Sequence, residues 1–362
     1  MQPMRWMLPL AVLIALGGDP LRLEAESTKT LRLQLTAAPD ARFCVENLAG
    51  TMRVVRGSGP AVVAVATVHA ESEELAGLMR LEQVEGEGGE PCLRVRYPLD
   101  RYRTIRYPSG SATGSFLSLL FGGGSQIRYD GHKARVSSSD GVALYADVEV
   151  QLPGRAVQGR FSNPVGLLHA EGVEGELQFD TGSADITLER LRGNLSADTG
   201  SGDVHAADLE GRFECDTGSG DCELAGFSGR EVVCDTGSGD ILLSSVAAAA
   251  LSVDAGSGDI RVERGRIESF EADTGSGDIR LQVEAAKLSR LTASTGSGDV
   301  ALRLGPDASF EAWLDTGSGD IDSDYADAKE IRDDGELVGY RRGDGRTRIE
   351  VDTGSGDLTI SP

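Results

Sequence analysis

The sequence predicts an all-β fold, a parallel β-helix (β-solenoid) of right-handed sense with coils of about 18–21 residues. Three observations carry this. Nine versions of the motif D-T-G-S-G-D begin at Asp180, Asp198, Asp216, Asp235, Asp254, Asp273, Ser294, Asp315 and Asp352, in steps of 18, 18, 19, 19, 19, 21, 21 and 37 residues. Apolar residues alternate with period two on both flanks, as in Leu177 and Phe179 before the first copy and Ile186 and Leu188 after it. Segments between copies, such as LERLRGNLSA, leave no room for a helix of ten residues. A four-stranded propeller blade would need about twice this period.

Residues 1–25 open the chain with Arg5, an apolar run from Trp6 to Leu16, and Gly17 and Gly18, which reads as a secretory signal peptide. That run is too short to span a membrane comfortably, and no later stretch is apolar enough for a membrane helix. Residues 26–160 read as an irregular β portion: a strand–turn–strand in ARFCVENLAGTMRVVRGSGP, a strand in AVVAVATVHA and another in GEPCLRVRYPL. Within it, ESEELAGLMRLEQV carries Leu75, Leu78, Met79 and Leu81 at helical spacing behind acidic residues and is expected to form an amphipathic helical cap. Residues 161–362 are the regular repeats. RFSNPVGLL stands in phase one step before the first motif, with Ser162 18 residues ahead of Asp180. The last step is twice 18.5, so a worn copy is expected halfway, at Asp333 to Leu337 in IRDDGELVG.

Within the motif, the glycines are expected to supply backbone angles that other residues resist, and Asp, Thr and Ser to satisfy turn N–H groups. Stacking gathers the opening aspartates into one column and the closing ones, Asp203, Asp221, Asp240, Asp259 and Asp278, into a second. Two readings of the second column stay open: a turn cap, or a Ca²⁺ site built of hard oxygens. The glycine-rich calcium-binding roll offers the nearest analogy. G-S-G-D-I is one residue shorter between glycine and aspartate, however, and the opposing turns lack a second acidic loop. Beyond Ca²⁺, no cofactor is expected.

Lys+Arg 35 against Asp+Glu 58 gives a net charge of −23, a field that repels nucleic acid and attracts cations and basic partners. The one basic, aromatic run is LRVRYPLDRYRTIRY, in which Arg94, Arg96, Arg101, Arg103 and Arg106 interleave with Tyr97, Tyr102 and Tyr107. It reads as a solvated strand face or as a patch for an acidic glycan or an acidic neighbour. His69, His132, His169 and His205 are scattered outside any nucleophile motif, and the carboxylates recur copy after copy, so no catalytic constellation stands out. His205, beside the inward Val204, is expected to face out. The chain contains five cysteines. Cys215 and Cys234 share one repeat position and are expected to be bridged, Cys44 and Cys92 are the candidate N-terminal pair, and Cys222 takes the place of an inward isoleucine.

The VENLAGTMRVV strand–turn–strand, the LRVRYP strand and the serial DTGSGDI coils together resemble the bacterial putative-adhesin family of β-helical repeat domains, over roughly residues 42–362. The resemblance implies an exported β-solenoid of the periplasm, cell surface or extracellular space. It would be non-catalytic and serve in adhesion or as an envelope scaffold, with a glycan, a surface protein or another envelope component as partner. The alternative is a Ca²⁺-stabilised β-helix that binds or cleaves polysaccharide. The widened step near Lys287 and the worn copy at Asp333 depart from the pattern and are expected to mark places where a partner sits.

Overall fold

In the computed structural model, which describes residues 27–36, 41–108 and 125–362, the period-two flanks become parallel strands paired in register. The expected signal peptide lies outside the described residues. Ahead of the motif turn, Phe161, Phe179, Ala197, Cys215, Cys234, Val253, Ala272 and Ala293 form one pairing column. Beyond it, Leu168, Ile186, Val204, Cys222, Ile241, Ile260, Ile279 and Val300 form another. All of these side chains are buried, and the residues alternating with them face water. The fold is almost entirely β-strand, a repetitive stack of layers in which hydrogen bonds run from layer to layer and the apolar columns make the core.

Each layer turns at a second corner opposite the motif. There Arg190, Asp208, Ser245 and Arg264 all hold left-handed backbones, with φ between 54° and 56°, and Gly172 and Gly226 hold the equivalent places at 64° and 80°. This corner, and not the motif, demands positive φ: no G-S-G glycine lies in the left-handed region. The expectation that the motif glycines serve backbone angles is thereby corrected. They serve close approach. A Cβ on Gly220, Gly239 or Gly258 would overlap the carbonyl oxygen of the equivalent residue one layer earlier.

The stack begins earlier than the motif. Val45 pairs with Phe161 and Met52 with Leu168, so Arg42–Glu46 and Ala49–Arg56 form one further layer. Cys44 then pairs with Cys92. On one side the layers continue into an antiparallel sheet, Val142–Leu152 against Val62–Ala70 against Ser27–Leu35. The expected helix is shorter than its apolar spacing implied. It spans Glu73–Leu78, capped by Ser72, whose Oγ accepts from the Leu75 N–H. Leu81 and Val84 lie instead in Arg80–Glu85, where they face Val95 and Cys92 across an antiparallel pair. Strand pairing there satisfies backbone groups along the whole segment, which outweighs a weak helical spacing.

The last step also departs from expectation. Asp333 to Leu337 is no worn coil: Lys329–Asp333 and Glu336–Arg342 form an antiparallel hairpin, which lies against Phe310–Thr316. Thr347–Thr353 then inserts between Arg290–Thr295 and Phe310–Thr316, pairing Ile349 with Leu291 on one side and Ala312 on the other. Leu358–Ser361 does the same between Val300–Arg303 and Ile321–Ser323. The final layer in sequence is thus the penultimate layer in space.

Candidate functional site

The motif turn is a hydrogen-bonded ladder with a buried rail and an exposed one. Thr217 Oγ1 donates to the Gly202 carbonyl at 3.2 Å and accepts from the Gly220 N–H at 2.9 Å. Thr236, Thr274 and Thr295 repeat the donation to Gly220, Gly258 and Gly277. These threonines are almost fully buried, so each hydroxyl satisfies groups that water cannot reach. Upstream, Asn163 and Asn47 continue this rail. Asn47 Nδ2 donates to Asn163 Oδ1 at 3.0 Å, and Tyr97 donates its hydroxyl to Asn47 Oδ1 at 2.9 Å. Burial drives the Tyr97 pKa far above its usual value, which keeps the hydroxyl a donor.

Sequence reasoning singled out the exposed rail. The structure brings Asp203, Asp221, Asp240, Asp259 and Asp278 into one column. Oδ1 of each accepts the backbone N–H of the next: Asp221 N to Asp203, Asp240 N to Asp221, Asp259 N to Asp240, at 2.8–3.0 Å. Asp278 N to Asp259 and Asp299 N to Asp278 extend the series. One oxygen per carboxylate is thus committed to a backbone donor, a charge-assisted bond that offsets like-charge stacking. Among the described residues, one group of three metal-ligating side chains has its donor atoms within 4.8 Å of each other: Cys44, Glu46 and Cys92. Two of these are joined as a disulfide.

Among the described residues the opening aspartates have no such backbone donor. Burial raises the carboxyl pKa of Asp198, and the Asp216 charge adds to it; burial, then Asp235 and Asp273, raise that of Asp254. Asp180 is raised by burial, with Arg160 opposing.

The expected Cys215–Cys234 bridge is absent: Cys215, Cys222 and Cys234 are free thiols, all buried. The Cys222 thiol donates across the core to Cys234 Sγ at 3.5 Å, so the Cys234 sulfur has a partner on the facing column and not only along the stack. Hydrogen bonding to its two neighbours and burial push the Cys222 thiol well up, in keeping with a small core residue. The Cys44–Cys92 pair is bridged as expected.

The basic run divides. Arg94 sits within hydrogen-bond reach of Glu46 (2.6 Å) and Asp130 (2.8 Å), Arg96 pairs with Asp130 and Glu82, and Arg106 with Glu71. Three histidines pair with carboxylates: His69 Nε2 lies 3.0 Å from Asp147 Oδ2, His169 Nε2 3.7 Å from Glu171, and His205, exposed as expected, 3.0 Å from Glu223. Burial opposes it, but contacts with His69 and the Thr51 N–H hold the Asp147 carboxyl below its usual range.

The widened step does mark a concavity. A cleft of about 920 Å³ opens where residues 282–289 and 303–309 depart from the repeat, floored by Val283, Leu288 and Leu304. Two of its arginines pair with acids locally, Arg266 with Glu284 at 2.9 Å and Arg346 with Asp344 at 3.1 Å. Its volume suits a small ligand or a short chain segment.

A family model described as Toastrack DUF4097 matches residues 146–361. No curated protein matches the chain. Among solved structures, a putative lipid binding protein from Parabacteroides distasonis is 12% identical with a TM-score of 0.43, over 91% of this chain and 96% of that one. A putative adhesin from the same organism is 12% identical with a TM-score of 0.41, over 91% and 97%. A putative adhesin from Bacteroides fragilis is 10% identical with a TM-score of 0.39, over 92% and 97%.

Proposed function

The chain belongs to the Toastrack DUF4097 family, and on that premise we propose that it is a non-catalytic binding module or scaffold of the bacterial cell envelope. Its regular part, residues 161–362, would wind as a closed right-handed parallel β-solenoid, with 26–160 as an irregular first portion. The observation that carries this reading is how the carboxylates are used. Catalysis needs one unique acid–base constellation, whereas here successive closing aspartates make the same layer-to-layer bond. The molecule's distinctive features are breaks in the repeat, among them the cleft beside residues 284–289. A bridged Cys44–Cys92 pair fits an oxidising, extracytoplasmic compartment. Among the described residues no helix is long and apolar enough to cross a membrane.

The test is retention of native envelope material and of a glycan panel on immobilised protein. Selective retention of one glycan supports adhesion, and retention of an envelope protein alone supports a scaffold. Turnover of any panel polysaccharide would overturn the non-catalytic reading.

Calcium on the second aspartate column stays a subordinate proposal. A Ca²⁺ ion takes six to eight oxygens, while each carboxylate here has already committed one oxygen to a backbone N–H. The donor set therefore fits a cap that gathers cations loosely better than a closed calcium site. Millimolar CaCl₂ and NaCl of matched ionic strength should raise the melting temperature alike. A calcium-specific increment that shrinks in Asp240→Asn/Asp259→Asn would restore the calcium site.

A further inference from the structure

A small sheet outside the layer stack carries a charge pattern opposite to the rest of the molecule. Thr104–Arg106 pairs in parallel with His132–Ser137, which pairs antiparallel with Ser125–Tyr129 through a turn at Asp130 and Gly131. In this register Arg128 stands directly opposite Lys133, and Gln126 directly opposite Arg135. Alternation places these four residues on one face, while Ala134, Val136 and Tyr129 point into the core. Together with Arg103 and Thr104 they line a groove of about 410 Å³ to which, among the described residues, no carboxylate contributes.

The groove is unusual in this chain. The net charge is −23, and Arg94, Arg96 and Arg106 nearby are all matched to acids. By contrast, Arg103, Arg128, Lys133 and Arg135 make no ion pair among the described residues, although Arg128 and Lys133 repel each other across the strands. Like charges set directly opposite each other destabilise a sheet. A carboxylate or sulfate laid between them would turn that repulsion into charge-assisted hydrogen bonds. Thr104 and Gln126 add neutral hydrogen-bonding groups suited to hydroxyls.

We propose that this groove binds an anionic sugar polymer, with the arginines and Lys133 on its carboxylate or sulfate groups and Thr104 and Gln126 on its hydroxyls. The mixture of cations with neutral hydrogen-bonding groups fits a polyhydroxylated anion better than a lipid headgroup or the aspartate columns of a second copy. The assignment rests on the binding reading above and adds its ligand class and place.

The full mature chain is titrated with polygalacturonate and with dextran sulfate, using neutral dextran as reference. Two variants of equal charge change are compared: Arg128→Gln/Lys133→Gln/Arg135→Gln, and the distant Arg261→Gln/Arg280→Gln/Arg332→Gln. Circular dichroism checks that both fold. At least one polyanion should bind, weaken in 0.5 M NaCl, and lose about tenfold or more in affinity in the first variant, with little change in the second. Equal loss in both variants would reduce the effect to net charge and overturn the groove. Binding to neither polymer would overturn it as well. So would capture of phosphatidylglycerol vesicles in place of the polymers, or self-association lost only in the first variant without polymer binding. If envelope material is still retained while both polymers are ignored, the binding reading stands and the groove assignment falls.

Discussion

The two aspartates of a motif copy differ in what their charge does. The closing one, as at Asp240, accepts the N–H of Asp259 in a charge-assisted bond. The opening one, as at Asp254, has its pKa raised by burial and by Asp235 and Asp273. A raised folded-state pKa adds stability below the unfolded pKa and loses it as pH rises through the folded value. Asp254→Asn should therefore stabilise the protein at pH 7 by roughly 0.2–1 kcal/mol, and the gain should vanish below about pH 4. Asp240→Ala should cost about 1 kcal/mol at pH 7 by removing a charge-assisted bond. Denaturant midpoints at the two pH values check both, and the same sign for both variants at pH 7 would refute the distinction. Gly258→Ala puts a methyl into the Gly239 carbonyl and should cost about 3 kcal/mol or more. Full stability in that variant would refute the close-approach role of the motif glycines.

At the scale of the element, strands were legible and corners were not. Leu177, Phe179, Ile186 and Leu188 announce their strands because water on one face and core on the other impose alternation. Arg190 and Arg264 give no sign of left-handed backbone, since arginine has no preference for it; neighbouring layers impose it. Asp208→Gly should consequently stabilise by a few tenths to about 1 kcal/mol, relieving that backbone at an exposed site. A loss of stability on thermal melting would mean the Asp208 side chain contributes more than its backbone costs. The aspartate column was legible as a column, but its bonding was not, because it depends on which carboxylate oxygen meets which N–H. The basic groove also leaves a signal in the sequence: QIRYDGHKARV places Arg128, Lys133 and Arg135 around an Asp-Gly hairpin turn.

At the scale of the molecule, the period revealed layers but not their order. Spacing along a chain counts steps, and the 37-residue step is equally compatible with two coils or with one hairpin and one inserted layer. The hairpin Lys329–Arg342 covers the edge of Phe310–Thr316, which would otherwise expose unpaired backbone. Replacing residues 329–342 with a short glycine–serine linker should leave the β signal in circular dichroism but expose that edge, giving concentration-dependent association by sedimentation. A variant that stays monomeric would remove the protective role.

The displaced last layer bears on how such a protein can lengthen. Where neighbours in sequence are neighbours in space, as from Asp198 to Thr274, an extra unit copied from the next one meets matching surfaces above and below. Past Arg290 the same duplication would separate a strand from the two it is wedged between. A copy of residues 235–253 inserted after 253 should give a longer, folded protein, whereas a copy of 294–314 inserted after 314 should not; soluble yield and melting cooperativity read the difference. The regular stretch is thus where heredity can add or remove rungs, and the wedged rung sets a boundary on that growth.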